Sequence, residues 1–147
     1  MEIKIYTDGA CVGNPGPGGW AAVILFDKEK KELFGGEKLT TNNRMELTAA
    51  IKALEYCAKE DEQPSLKLVR IFTDSIYVKE GITAWIDKWE KNNWKTADKK
   101  NVKNVDLWKK LKELTKLNPV EWNWVKGHSD DAMNDLADKL AKKATPI

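Results

Sequence analysis

Two five-residue phrases in this chain are nearly the same: Ile5-Tyr6-Thr7-Asp8-Gly9 and Ile71-Phe72-Thr73-Asp74-Ser75. Each is an extended apolar run closed by an aspartate. Gly in one case and an Asp-Ser helix start in the other interrupt the pattern, so each carboxylate is expected at the C-terminal tip of a strand. On parallel neighbouring strands the two tips would bring two negative charges into close range. Like charges so placed oppose each other. Folding supplies no reason for that arrangement, whereas binding a divalent cation does.

Two further acids join the set, and each of the four has a cheaper local explanation when taken singly. Asp8 precedes Gly9, a common pair at chain reversals. Asp74 is placed to cap a short helix beginning at Ser75. Glu46 follows Asn43 by three residues, the capping-box spacing, and Asp138 precedes Lys142 by four, the spacing of an exposed helical ion pair. Together they read differently. Two strand ends and two helices each offer one acid to one edge of a sheet, and an oxygen-only cluster with open positions suits a hard cation such as Mg²⁺. Soft-metal chemistry is excluded, since the chain has one histidine and no CxxC pair. That histidine, His128, follows Val125-Lys126-Gly127 and precedes Ser129-Asp130-Asp131, a polar loop in which an imidazole can relay protons. The Gly-rich run at residues 13–19 leads into a strand and has no following Lys-Ser/Thr, so it is not a phosphate loop.

Positioning these groups falls to a single mixed α/β domain over residues 1–147. Residues 2–8 alternate as a strand, residues 20–26 are a continuous apolar strand, and residues 32–39 form a third strand broken at Gly35-Gly36. The short connections between them predict an antiparallel meander. Leu47, Ala50, Ile51, Leu54 and Ala58 then repeat at helical spacing after a cap at Asn42 or Asn43. A strand over 66–73 follows, and the intervening helix permits it to pair parallel with the first strand. A short helix over 75–80 is expected to end at Gly81. Helical patterns continue over 85–94 and through Leu107, Trp108, Leu111 and Leu114. Val120, Trp122 and Trp124 alternate as a fifth strand, and the last helix carries Met133, Leu136, Ala137, Leu140, Ala141 and Ala144 on one face.

At 147 residues, with 41% hydrophobic and 33% charged, the chain has the composition of a soluble globular domain. No apolar run reaches the length of a membrane span, no signal pattern opens the chain, and Cys11 and Cys57 suggest no disulfide framework, so the expected location is cytoplasmic. The net charge of +2 conceals an uneven distribution. Residues 85–116 hold ten lysines against five acids, together with Trp85, Trp89, Trp94 and Trp108. Cations interleaved with flat rings suit nucleic acid. Trp108 itself reads as a core residue.

The motifs Tyr6-Thr7-Asp8-Gly9-Ala10-Cys11, Asn14-Pro15-Gly16-Pro17-Gly18-Gly19-Trp20, Thr40-Thr41-Asn42-Asn43-Arg44-Met45-Glu46-Leu47, Phe72-Thr73-Asp74-Ser75 and Val125-Lys126-Gly127-His128 resemble bacterial ribonuclease HI, in this order and across nearly the whole chain. The resemblance implies a ribonuclease H-like fold, with three antiparallel strands then two parallel ones in a five-stranded mixed sheet flanked by helices. It also implies a basic protrusion at about 81–104. Asp8, Glu46, Asp74 and Asp138 would be the metal-binding carboxylates, and His128 the loop histidine that assists turnover. Cys11, Asn14, Asn42 and Asn43 fall where the family contacts the RNA strand, Thr41 and Asn104 at a pocket for a DNA-strand phosphate, and Trp85 along the DNA channel. Lys91 and Lys95 belong to the basic segment expected to hold the substrate. Two positions depart from the family pattern: Asp130 stands where Gly is common after the histidine, and Ile76 replaces a glutamine, removing one polar RNA contact.

The function so implied is endonucleolytic hydrolysis of the RNA strand of an RNA–DNA hybrid by two Mg²⁺ ions, Mn²⁺ being possible, leaving 5′-phosphate and 3′-hydroxyl ends. A monomer without an obligate protein partner is expected, with no membrane contact. The alternatives are another nuclease or strand-transfer enzyme on the same fold, and a non-catalytic nucleic-acid-binding module whose acids serve only as caps and ion pairs.

Overall fold

The alternating residues at the start of the chain become the central strand of a five-stranded mixed sheet. The computed structural model describes residues 2–26, 28–60, 68–117, 119–126 and 132–146. Its elements are β1 (Glu2–Cys11), β2 (Gly16–Phe26), β3 (Glu29–Thr40), α1 (Asn42–Glu60), β4 (Leu68–Thr73), α2 (Ile76–Glu80), a π-helical turn (Gly81–Trp85), α3 (Ile86–Lys91), α4 (Val105–Thr115), β5 (Val120–Trp124) and α5 (Ala132–Ala144). The strands lie in the order β3-β2-β1-β4-β5. β1, β2 and β3 pair antiparallel, while β4 runs parallel to β1 and β5 parallel to β4. This is the topology expected from the short connections and the helical crossover.

Successive strand residues point to opposite faces, and both faces are covered. Ile3, Ile5, Ala22, Ile24, Val69 and Ile71 face a core shared with Leu47, Ala50 and Leu54 of α1 and with Trp108 and Leu111 of α4. Tyr6 and Val23 face the other way, with Ala137 and the half-buried Met133, Leu136 and Leu140 of α5. Tyr6 stacks on Phe72 at 4.7 Å, which ties β1 to β4 on this second face. Trp108 is fully buried, as its helical spacing predicts. Among the described residues no helix is long and apolar enough to cross a membrane.

Four local expectations are corrected. β1 does not end at Asp8 but runs on to Cys11, because Gly9, Ala10 and Cys11 remain paired with Trp20, Gly19 and Gly18 of β2. Gly16 to Gly19, read from the sequence as part of a turn, are therefore strand, and Gly35-Gly36 continue β3 opposite Trp20 and Gly19. The cap of α1 is Thr41, not Asn42 or Asn43: Thr41 Oγ1 accepts from Arg44 N at 3.2 Å. α2 ends at Glu80 with Gly81 at its C-cap, as expected, but the φ of −61° there is right-handed and the chain goes straight on into the π-helical turn. Glycine stands there because a Cβ would lie 2.1 Å from Trp108 Cη2, so the helical rod touches the indole directly.

Candidate metal-binding active site

The pairing of β1 with β4 places Tyr6 beside Phe72. Two residues further on, the same register sets Asp8 level with Asp74, just past the end of β4. Neither acid does what its neighbours in sequence suggest. Asp8 lies within a strand, not a turn, and is buried. The cap of α2 is Ser75, whose Oγ accepts from Val78 N at 3.1 Å, so capping does not fall to Asp74.

Glu46 comes from α1, on the opposite layer to α5, and closes the group. Its carboxylate is buried, and Oε1 accepts from Gly9 N at 3.0 Å, while the same N–H reaches Asp8 Oδ1 at 2.9 Å. The capping-box role is thus replaced by a contact to β1. Gly9 makes this possible: a Cβ would lie 2.6 Å from Glu46 N and 2.7 Å from Met45 C, backbone atoms that cannot swing aside. One carboxylate oxygen from each of Asp8, Glu46 and Asp74 lies within 4.8 Å of the others.

This grouping is electrostatically costly. Burial, then the charge of Asp74, lifts the Asp8 carboxyl from its ordinary 3.8 to about 7. Burial first, and the charges of Asp8 and Asp74 after it, push Glu46 well above the usual carboxylate range. Glu46 Oε2 is buried with no hydrogen-bond donor in reach among the described residues. An orphaned buried oxygen, in a set of oxygen ligands that only accept when ionised, fits a hard divalent cation. Asp138 approaches from α5 and lines the same cleft, with Asn42, Asn43, Ser75 and Tyr77. The predicted ion pair also forms, Lys142 Nζ lying 3.0 Å from Asp138 Oδ2, so Asp138 meets both readings of its spacing.

A family model for RNase H matches residues 1–145. The chain belongs to the ribonuclease H family. A protein named Ribonuclease H from Maricaulis maris (strain MCS10) is 56% identical over 141 residues, covering 96% of this chain and 91% of that one. Another of that name from Wolbachia pipientis wMel is 52% identical over 143 residues, covering 97% and 94%. Among solved structures, LC9-RNase H1, a type 1 RNase H with the type 2 active-site motif, superposes with a TM-score of 0.86 at 30% identity, over 98% of this chain and 72% of that one. The non-catalytic reading gives way: as a ribonuclease H, the chain is a hydrolase.

Around the acids of this ribonuclease H the other predicted residues fall in two groups. Asn14 Oδ1 accepts from Asn42 N at 2.9 Å, joining the loop before β2 to the start of α1, with Asn43 exposed beside them. Cys11 Sγ lies 3.4 Å from the carbonyl of Thr40 and belongs to the same corner. The second group follows α2 along the chain. Trp85 is partly exposed and packs on Trp89 and Tyr77 at 5.7 and 6.2 Å between ring centroids. Lys91 is exposed on α3, and Lys95 Nζ donates to Asn101 Oδ1 at 2.5 Å. Asn104, left-handed with φ 59°, precedes α4. Thr41 bridges the groups through the cap it gives Arg44. His128 lies outside the described residues.

Several contacts escaped the reading of the sequence. Trp124 Nε1 donates to the Asp74 carbonyl at 3.2 Å, bracing the chain just past β4 from β5. Arg44 grips Asp106 and Asn104. Both partners are about sixty residues from Arg44, and no local pattern announces them.

Proposed function

We propose that this chain hydrolyses the RNA strand of RNA–DNA hybrids endonucleolytically, leaving 5′-phosphate and 3′-hydroxyl ends. The observation that carries the reading is the convergence of Asp8, Glu46 and Asp74 from three separate elements onto one carboxylate cluster in which Glu46 Oε2 is buried with no donor among the described residues, in a chain of the ribonuclease H family. Asp8, Glu46, Asp74 and Asp138 would hold two Mg²⁺ ions, or Mn²⁺. Once bound, such ions supply Lewis-acid activation of a water and stabilise charge on the leaving oxygen.

The protein's own residues prepare this chemistry. The Gly9 N–H orients two carboxylates at once, Lys142 steadies Asp138, and Trp124 pins the backbone at Asp74. Water attacks phosphorus and the bond from phosphorus to the 3′-oxygen breaks; the proton lost by the water is relayed through His128, and the departing oxygen takes one up to leave as the 3′-hydroxyl. Selectivity requires both strands to be read. Cys11, Asn14, Asn42 and Asn43 would meet the 2′-hydroxyl-bearing strand, while Thr41 and Asn104 hold a DNA phosphate. Trp85, Lys91 and Lys95, in a basic protrusion at about 81–104 of a single catalytic domain, would follow the DNA strand. The enzyme is proposed to act as a cytoplasmic monomer.

The test is a cleavage assay with Mg²⁺ on end-labelled hybrid, duplex DNA, single-stranded RNA and junction DNA. The expected result is cutting of hybrid RNA alone, abolished by chelator, with products that a 3′-end ligase accepts directly. Preferential cutting of junction or duplex DNA would instead favour a different nuclease on this fold.

A further inference from the structure

Ile76 is the one aliphatic side chain lining the acid-bearing cleft among the described residues, and it is 61% exposed there. Its two predecessors are otherwise engaged. The Asp74 carboxylate belongs to the metal-binding group, and the hydroxyl of Ser75 caps α2 through Val78 N. Ile76 is therefore the first side chain of α2 to meet whatever enters the cleft. Its place is also fixed. Trp124 Nε1 holds the Asp74 carbonyl at 3.2 Å, and Thr73 Oγ1 accepts from Ser75 N at 3.1 Å, so the chain leading to Ile76 is tied to β5 and β4. A β-branched side chain in a helix keeps one strongly preferred rotamer. Ile76 is a stiff apolar wedge in a polar cleft, and a ligand must fit around it.

What the wedge does depends on the groove it faces. Asn42 and Asn43, which would meet the 2′-hydroxyl-bearing strand, line the same cleft. In an A-form helix the 2′-hydroxyls and the base edges share one wide, shallow minor groove. In a hybrid so held, Ile76 faces base edges. Those edges differ in one respect: rA·dT and rU·dA pairs show only acceptors, whereas a G·C pair adds the N2 amino group of guanine. Isoleucine offers that donor no acceptor. A donor covered by an aliphatic side chain loses its water and gains no partner, and the amine fills the space that the wedge would take. Over a pair without the amine, the same side chain buries apolar surface against the groove floor, which is favourable.

We infer that Ile76 is a specificity-determining residue, one that slows cleavage wherever the base pair seated against it carries a guanine amino group. The inference rests on the hybrid reading above and deepens it, from a class of substrate to a preference among sites within one hybrid. The preference should be one base pair wide, since one side chain makes it. It should be nearly blind to which strand carries the guanine, because the minor groove separates G·C from A·T far better than it separates G·C from C·G.

The test uses hybrids in which inosine, which lacks only the N2 amine, replaces every guanine but one. That guanine is moved a pair at a time past a chosen phosphate, and cutting there is resolved by length. In the unaltered enzyme, cutting should fall roughly tenfold when the guanine reaches one particular position, the scale of one stranded donor. Ile76→Gln, whose amide can accept as well as donate, should bring the inosine-to-guanine ratio at that position to within about twofold of unity. Ile76→Ala, which removes the wedge but supplies no acceptor, should leave a smaller ratio than isoleucine does. Each ratio is taken within one enzyme, so a general loss of activity or stability in a variant cancels. Because Ile76 is mostly exposed, both variants should melt within about 2 °C of the unaltered protein. A ratio near unity at every position in the unaltered enzyme overturns the inference, and so does a tenfold ratio that survives in Ile76→Gln. Failure of the unaltered enzyme to cut any hybrid would instead sink the hybrid reading itself.

Discussion

At the scale of single residues, Asp8 is where stability and function pull apart. Its folded-state pKa is raised, chiefly by burial, from 3.8 to about 7, so the folded protein holds this proton more tightly than the unfolded chain does. The stability so contributed is present below the ordinary carboxylate value and is lost as pH climbs toward about 7. In chelator, the melting temperature should therefore drop more steeply between about pH 4 and about pH 8 in the unaltered protein than in Asp8→Asn. At the upper end the variant should melt about 3–6 °C higher, the equivalent of about 1–2 kcal/mol in a chain of this size. Mg²⁺ should recover part of that difference in the unaltered protein by mass action. In the variant, cleavage should fall by at least about a thousandfold while hybrid binding is kept. Near-normal cleavage with Mg²⁺ would remove Asp8 from the metal set.

At the scale of elements, two glycines set how closely helices approach their neighbours. Gly9→Ala places a Cβ against the backbone of Met45 and Glu46, so the first turn of α1 must withdraw from β1 and take Glu46 with it. A loss of roughly a hundredfold in kcat is expected with the circular dichroism spectrum preserved, the scale of an ångström-sized misplacement. A kcat within threefold of normal would show that the approach of α1 to β1 is not what aligns the site. Gly81→Ala drives a methyl into the fully buried Trp108. Urea midpoints should report destabilisation of about 1–3 kcal/mol, and an unchanged midpoint would mean that the helical rod can slide off the indole. The sequence announced the elements themselves through alternation and helical spacing. It foresaw Gly81 as the end of α2 but not the π-helical turn that follows, because glycine in a helix looks the same whether it ends the helix or admits a neighbour, and it placed the α1 cap one or two residues late, at Asn42 or Asn43.

At the scale of the whole molecule, a modest net charge conceals a division of labour. Acids gather around Asp8 within β1 and Asp74 just past β4, while lysines and tryptophans gather in the segment that includes α3 and the start of α4. In the function proposed above, an anionic duplex bridging the two would be held by the second and cut at the first. Replacing Lys91 and Lys95 together by Ala should raise KM more than it lowers kcat. It should also reduce the slope of log affinity against log salt by about 2 if both lysines meet phosphates. Titrations of hybrid at several salt concentrations read both quantities, and an unchanged slope would take this segment out of substrate binding.

The ordered motifs carried the resemblance to the family, while the repeated Ile-aromatic-Thr-Asp phrase and the strand and helical periodicities set out the sheet topology and marked the four candidate acids. Each is written in spacing that the backbone must obey wherever it folds: period two in strands, 3.6 in helices. Tertiary structure alone decided among the readings the spacing left open for the acids. Glu46 meets the N–H of Gly9, thirty-seven residues away, in place of the amide at its own helix end. Asp138 keeps its neighbour Lys142 and still faces the cleft. Asn104 takes a hydrogen bond from Arg44 and Tyr77 one from Trp108, partners that no short-range pattern pairs. Such partners are chosen by which backbones can come within contact and by which side chains can only give a proton. Local propensity carries no record of either, so the acids and the metal chemistry they suggest could be read from the chain, while the contacts that hold them together could be seen only once it was folded.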